Sequence, residues 1–159
     1  MATVTKNQIR SARKFSAPYG NAYKEVFTFE VNASGVFVDS DKATAVASGD
    51  VVRIGTIQAG TRLDGVLAIV SDAFASSTTA KLGFAYVDGV DSTAVPQDDD
   101  YFFAALATSS AGRTQANNTA VRPVTLPKDA YLILTRGGAA DSAAGIVDFI
   151  VDGVLTGAE

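Results

Sequence analysis

The sequence predicts an all-β protein, a jelly-roll-like sandwich of about eight antiparallel strands behind an extended N-terminal arm. Three observations lead there. Apolar residues recur with period two in short runs from residue 22 onward. Gly, Asp, Asn and Pro interrupt those runs at short spacing. No stretch sustains a helical period. At 159 residues the chain is one domain's worth, read as a basic arm over residues 1–21 and a sandwich domain over 22–159.

The arm lacks either period and contains Pro18 and Gly20, with at most a turn of helix near residues 7–14. Residues 22–31 form the first run, with Tyr23, Glu25, Phe27 and Phe29 on one face and Lys24, Val26, Thr28 and Glu30 on the other. Val36-Phe37-Val38 is a short strand candidate between turn residues. Gly49-Asp50 opens a run over 51–57, with Val52, Ile54 and Thr56 on one face and Val51, Arg53 and Ile57 on the other. After a tight connection at Gln58-Ala59-Gly60 comes the run 61–72, in which Gly65 signals a bulge or a close backbone approach. Residues 79–88 alternate Leu82, Phe84 and Tyr86 against Lys81, Gly83 and Ala85, and Asp88-Gly89 closes them.

Residues 90–100 read as a loop holding Pro96 and the triplet Asp98-Asp99-Asp100. The run 101–108 is short and aromatic-led, which favours a strand over the helix its alanines would suit. A polar stretch over 109–119 follows, then a run over 120–126 that Pro123 confines to an edge or a bend. Residues 131–135 are apolar on both faces and suit a central strand. The small-residue loop 137–145 leads to a closing run over 146–155, with Val147, Phe149 and Val151 opposite Asp148 and Asp152. The turns Leu63-Asp64-Gly65-Val66, Val87-Asp88-Gly89-Val90 and Val151-Asp152-Gly153-Val154 are unequally spaced, so they share turn chemistry and form no repeat.

Cys, His and Trp are absent, which excludes disulfide scaffolds, zinc sites, thiol nucleophiles, Ser-His-Asp triads and haem held by His or Cys. The acidic triplet has ligands suited to Ca²⁺ or Mg²⁺, but consecutive residues of an extended chain point in alternate directions, so a solvated loop is the better reading. Asp39-Ser40-Asp41 begins like a calcium loop and fails, since Ala43 replaces the third ligand and Thr44 the required glycine. Glu25 and Glu30 point to opposite strand faces and Glu159 ends the chain, so no glycosidase-like carboxylate pair forms. Gly137-Gly138 lacks the strand-to-helix setting of a phosphate loop. The sequons Asn32-Ala33-Ser34 and Asn117-Asn118-Thr119 are chance matches in a chain without a secretory leader. No catalytic constellation, metal site or cofactor is expected, and the chain reads as a non-enzymatic structural or binding module.

Charge is distributed unevenly. Residues 1–24 carry five basic side chains and no acid, while residues 25–159 carry eight basic and 17 acidic ones. A basic arm on an acidic body suits contact with a negative surface, and a frayed, solvated end is the alternative. The candidate partner-binding residues are Lys6, Arg10, Arg13, Lys14, Phe15 and Tyr19. The acidic body and the lack of a basic stripe argue against nucleic acid and for a protein partner. No apolar run approaches the ~20 residues of a membrane helix.

Residues 49–63, Gly-Asp-Val-Val-Arg-Ile-Gly-Thr-Ile-Gln-Ala-Gly-Thr-Arg-Leu, resemble a pattern in tailed-bacteriophage accessory capsid proteins: a strand opened by Gly-Asp, a short turn, and a strand opened by Gly-Thr. Residues 130–138 and 146–149 supply the later part, a strand, a Gly/Ala-rich loop and a closing strand. Over residues 22–155 the chain is thus similar to decoration proteins, also called cement or head-stabilising proteins. The resemblance implies a small sandwich bound outside a lattice of major capsid protein, self-associated as a trimer or dimer. It further implies a place on the virion surface after synthesis in the host cytoplasm. No functional residue set transfers with it. The competing reading is a receptor- or carbohydrate-binding module of a tail fibre or surface protein, which the lack of Trp stacking platforms disfavours.

Overall fold

The computed structural model describes residues 1–6 and 21–156. They form ten strands and no helix. The strands are β1 (Thr3–Thr5), β2 (Ala22–Val31), β3 (Val51–Ile57), β4 (Thr61–Asp72), β5 (Thr78–Tyr86), β6 (Asp98–Ala107), β7 (Gly112–Gln115), β8 (Val124–Thr125), β9 (Ala130–Gly138) and β10 (Gly145–Leu155). Two sheets face each other, one ordered β1-β3-β9-β5-β6 and the other β2-β10-β4-β7, with β8 also paired to β4.

The connectivity is that of one long antiparallel ribbon rolled up. β5 pairs β6, β4 pairs β7, β3 pairs β9 and β2 pairs β10, each pair enclosing the previous one in sequence. Rolling that ribbon places alternate pairs in opposite sheets, which is the jelly-roll arrangement the strand count suggested. The strand apolar on both faces, β9, lies at the centre of its sheet as expected.

The core forms where the period-two faces meet. Tyr23, Phe27, Phe29 and Val31 of β2 are buried, as are Val147, Phe149 and Val151 of β10, while Lys24 and Glu30 stay exposed. Phe29 stacks on Phe74 with ring centres 5.5 Å apart and tilts against Phe37 at 5.0 Å. Burying aromatic and branched side chains supplies roughly 25 cal/mol per Å² of apolar surface, which compensates for the missing disulfides.

Irregularities sit where glycine permits them. In β3 the pairing with β9 shifts between Arg53 and Gly55, so Ile57 turns inward beside Val52 and Ile54 rather than outward with Arg53 as strict alternation requires. A Cβ on Gly55 would lie 2.0 Å from the Phe27 ring of the opposite sheet. In β4 the bulge signalled by Gly65 is present, since Gly65 pairs Asp152 whereas Leu63 pairs Gly153.

Four expectations need correction. Residues 36–38 make only isolated bridges, from Val31 to Phe37 and from Val36 to Ala45. The polar stretch contains β7, whose four residues are all exposed. The run 120–126 shortens to Val124–Thr125. The acidic triplet begins β6 instead of ending a loop.

Candidate functional site

Among the candidate partner-binding residues, Lys6 lies within the described residues, and Arg10, Arg13, Lys14, Phe15 and Tyr19 lie outside them. Lys6 directly follows β1, and its surroundings explain how the start of the chain is held. β1 runs parallel to β3, with Thr3, Val4 and Thr5 in register with Val51, Val52 and Arg53. Val51 N–H donates to the Ala2 carbonyl at 3.0 Å, and Lys6 N–H donates to the Arg53 carbonyl at 3.3 Å. On the other side, Thr5 N–H donates to Asp41 Oδ1 at 2.9 Å and Asp41 N–H returns to the Thr5 carbonyl at 3.0 Å. An antiparallel bridge joins Lys6 to Ser40. Val4 is fully buried in the core. The first residues are thus a strand threaded into a slot between β3 and the 40–41 turn.

One carboxylate closes that slot. Asp50, 4% exposed, accepts from Ala2 N–H at Oδ1 (2.9 Å), and at Oδ2 from Lys42 Nζ (2.6 Å) and Ala47 N–H (3.0 Å). Burial by itself raises the Asp50 carboxyl. The Lys42 ammonium and the two amides outweigh burial and hold it below the ordinary aspartate range. Beyond the slot, Lys6 lines a shallow depression with Thr28, Glu30, Phe37, Val38 and Asp39.

The triplet Asp98-Asp99-Asp100 corrects a sequence argument. One carboxylate oxygen from each lies within 4.8 Å of the others. Alternation does not separate them because β6 is not regular here: Leu82 faces Phe103, whereas Phe84, two residues on, faces Asp98. The looped-out backbone crowds Gly83, where a Cβ would sit 2.0 Å from the Asp98 carbonyl oxygen. Asp100 N–H donates to Asp98 Oδ1 at 3.0 Å, and Lys81 Nζ lies 3.3 Å from Asp99 and 3.8 Å from Asp100. A hydrogen bond that the protonated Asp100 carboxyl donates to the Asp98 carboxylate, then burial, pushes the Asp100 carboxyl up, with Lys81 opposing. These contacts account for the three acids as a self-contained surface cluster.

Sequence reasoning missed a charged group inside the sandwich. Arg136 of β9 and Asp141 are both fully buried and form a two-pronged ion pair through Arg136 Nε (2.8 Å) and Nη2. Arg136 Nη1 donates to Thr108 Oγ1 at 2.8 Å, and Thr108 Oγ1 lies 2.9 Å from Thr78 Oγ1. The guanidinium carbon lies 4.6 Å from the Phe74 ring centre and 5.6 Å from that of Phe29. The signal was available: Arg136 follows Leu132 and Leu134 on the inward face of β9. Asn32 of the first sequon accepts from Ser34 and Val36 amides, the turn chemistry of its residue type.

The β5–β6 loop is tied down from several sides. Tyr86 Oη donates to the Val95 carbonyl at 2.5 Å, Gln97 N–H donates to Asp91 at 2.7 Å, and Lys128 Nζ reaches both Asp88 and the Val90 carbonyl. It leaves Val90 61% exposed at its tip.

No protein-family model matches the chain, and no curated protein matches it. Its fold does recur in solved structures. A chain of the capsid of Ralstonia phage GP4 superposes with a TM-score of 0.65 at 13% identity, covering 99% of this chain and 100% of that one. A chain of the cyanophage Pam1 capsid asymmetric unit gives 0.53 at 16% identity over 92% and 95%. One from the acidic stable capsid structure of Helicobacter pylori bacteriophage KHP30 gives 0.50 at 13% over 84% and 90%. At such low identity the likeness establishes the shared sandwich fold.

Proposed function

We propose that the protein is a non-enzymatic virion structural protein that binds the outer surface of a phage capsid and stabilises it. The observation that carries this reading is the near end-to-end match of the whole fold, arm strand included, to a chain of the Ralstonia phage GP4 capsid. Three phage capsids contribute chains of this architecture at 13–16% identity, a persistence of shape without sequence. The chemistry is compatible. Among the described residues, the acidic triplet is the one cluster of metal-ligand type, and its contacts with Lys81 and its own backbone account for it.

Attachment outside the shell, as a decoration protein, follows from the resemblance in residues 49–63 and from the charge division of the chain. The basic residues Lys6, Arg10, Arg13 and Lys14 supply attraction to an acidic partner, with Phe15 and Tyr19 as apolar anchors. Trimeric or dimeric self-association would multiply each weak contact over a symmetric shell. The deciding experiment is co-sedimentation of the purified protein with assembled shells that lack it. Saturable binding at a fixed number of copies per shell, with shells surviving greater heat, is the expected result. Protein left in the supernatant at every concentration refutes the reading, and retention on a glycan array would favour a receptor-binding module instead.

A further inference from the structure

The slot that holds β1 has the construction of a peptide-binding site. It offers an extended five-residue segment hydrogen bonds on both edges, from Val51 and Arg53 of β3 on one side and from Asp41 on the other. It takes one small apolar side chain, Val4, into the core, and receives a backbone amide on the buried carboxylate of Asp50. This is strand addition to a sheet edge, in which main-chain bonds give affinity and the pocketed side chain gives selectivity.

The occupant makes its side-chain-mediated contacts at long range: Ala2 with Asp50 is 48 residues away and Thr5 with Asp41 is 36. No hairpin turn ties β1 to β3, because a parallel pair cannot be joined by one. Residues 7–20 stand between Lys6 and Asn21, and fourteen residues reach at most ~50 Å when extended. A domain of this length has a radius of gyration of only about 15 Å. A chain with that reach can deliver residues 2–6 to its own slot or to the identical slot of an adjacent copy. The bonds made are the same either way.

We infer that this slot is a strand-exchange site, occupied by residues 2–6 of the same chain in dilute solution and by those of a second copy when copies are crowded together. The balance is one of concentration. A connection of this length presents its own segment at an effective concentration on the order of millimolar, so neighbours at comparable density compete on equal terms. Charge does not oppose the crossing, since the connecting residues carry Arg10, Arg13 and Lys14 and no acid, while the body of either copy is acidic. The inference stands apart from the reading above, because the slot exists whatever surface the protein coats.

The chain has no cysteine, so introduced thiols report without background. Thr3 and Val51 are register partners on adjacent strands. Full-length T3C/V51C protein, oxidised at micromolar concentration, should give an internal disulfide and migrate as a monomer. Oxidised at millimolar concentration, it should give covalent dimers and larger species under denaturing, non-reducing conditions. A mixture of separately prepared T3C and V51C proteins should give the mixed T3C–V51C dimer at millimolar concentration, in excess of either symmetric dimer. Internal disulfides alone at both concentrations, with no mixed dimer, would overturn the exchange. Failure of the double variant to form any disulfide would overturn occupancy of the slot itself. Neither outcome depends on capsid binding, so failure here and failure of the proposed function are separately visible.

Discussion

Asp50 is surrounded by donors only: two backbone amides and an ammonium. Such a shell requires the ionised form, since a protonated oxygen would have no acceptor to face. The depressed carboxyl therefore adds stability that is complete above the unfolded value of about 3.9 and is lost as pH falls through the lower folded value. Asp50→Asn turns an amide toward those donors and should cost about 1–3 kcal/mol at neutral pH. In urea melts of both proteins the gap should be constant between pH 7 and pH 5 and should narrow below pH 4. A gap that widens in acid would contradict the assignment.

Arg136 and Asp141 differ in kind, being a fully buried pair whose members are each costly alone. Arg136→Met by itself should destabilise by about 3–5 kcal/mol by stranding the Asp141 charge in the core. R136M/D141L should recover most of that, because apolar replacements of similar volume remove the desolvation cost along with the attraction. Equal losses in single and double variants, measured by denaturant unfolding, would show that the packing against Phe29 and Phe74 matters more than the charge.

At the scale of elements, legibility tracked locality. β2, β3 and β4 were bounded correctly because each lies between turn residues and buries alternate side chains. β7 escaped because Gly112–Gln115 buries nothing and shows no alternation. β1 escaped because three residues define no period and its partner lies far along the chain. For the same reason Gly49-Asp50 reads from sequence as the opening of β3 and nothing more. That Asp50 receives Ala2 and Lys42 is a fact of the rolled-up ribbon, invisible in any window of sequence. The acidic triplet was misjudged because alternation assumes a regular strand, and β6 bulges there.

The basic segment belongs to this scale as well. R10S/R13S/K14S should weaken attachment to shells and flatten its salt dependence, while the melting temperature of the free protein stays within a degree or two of wild type. Unchanged attachment at low and moderate salt would move the contact to loops or sheet edges, with the tethered 87–97 loop and its exposed Val90 the next place to look.

At the scale of the whole molecule, among the described residues, both sheets end in strands with a side that no other strand pairs: β6 beside β5, and β2 and β7 flanking the second sheet, with Phe37 bridging only the Val31 end of β2. β2 is long and carries Val26, 57% exposed, outward. Edges of this kind invite pairing between copies. Self-association is therefore expected, with light scattering at tens of micromolar giving two or three times the 16.4 kDa chain mass. A monomer at that concentration would confine assembly to the shell surface.

The nested pairing also dictates when the protein can exist during its own synthesis. β2 is the first long strand to be made, and its ladder partner β10 is the last of the ten. Roughly a hundred residues lie between them, which at 5–20 residues per second is about 5–20 s of translation. Throughout that interval β2 lacks the ladder partner that holds Tyr23, Phe27, Phe29 and Val31 in place against the opposite sheet. The innermost β5–β6 hairpin can form early, whereas the outer layer closes only after β10 emerges. A nascent chain stalled before residue 145 should thus bind hydrophobic dyes and holding chaperones until the final strand is released.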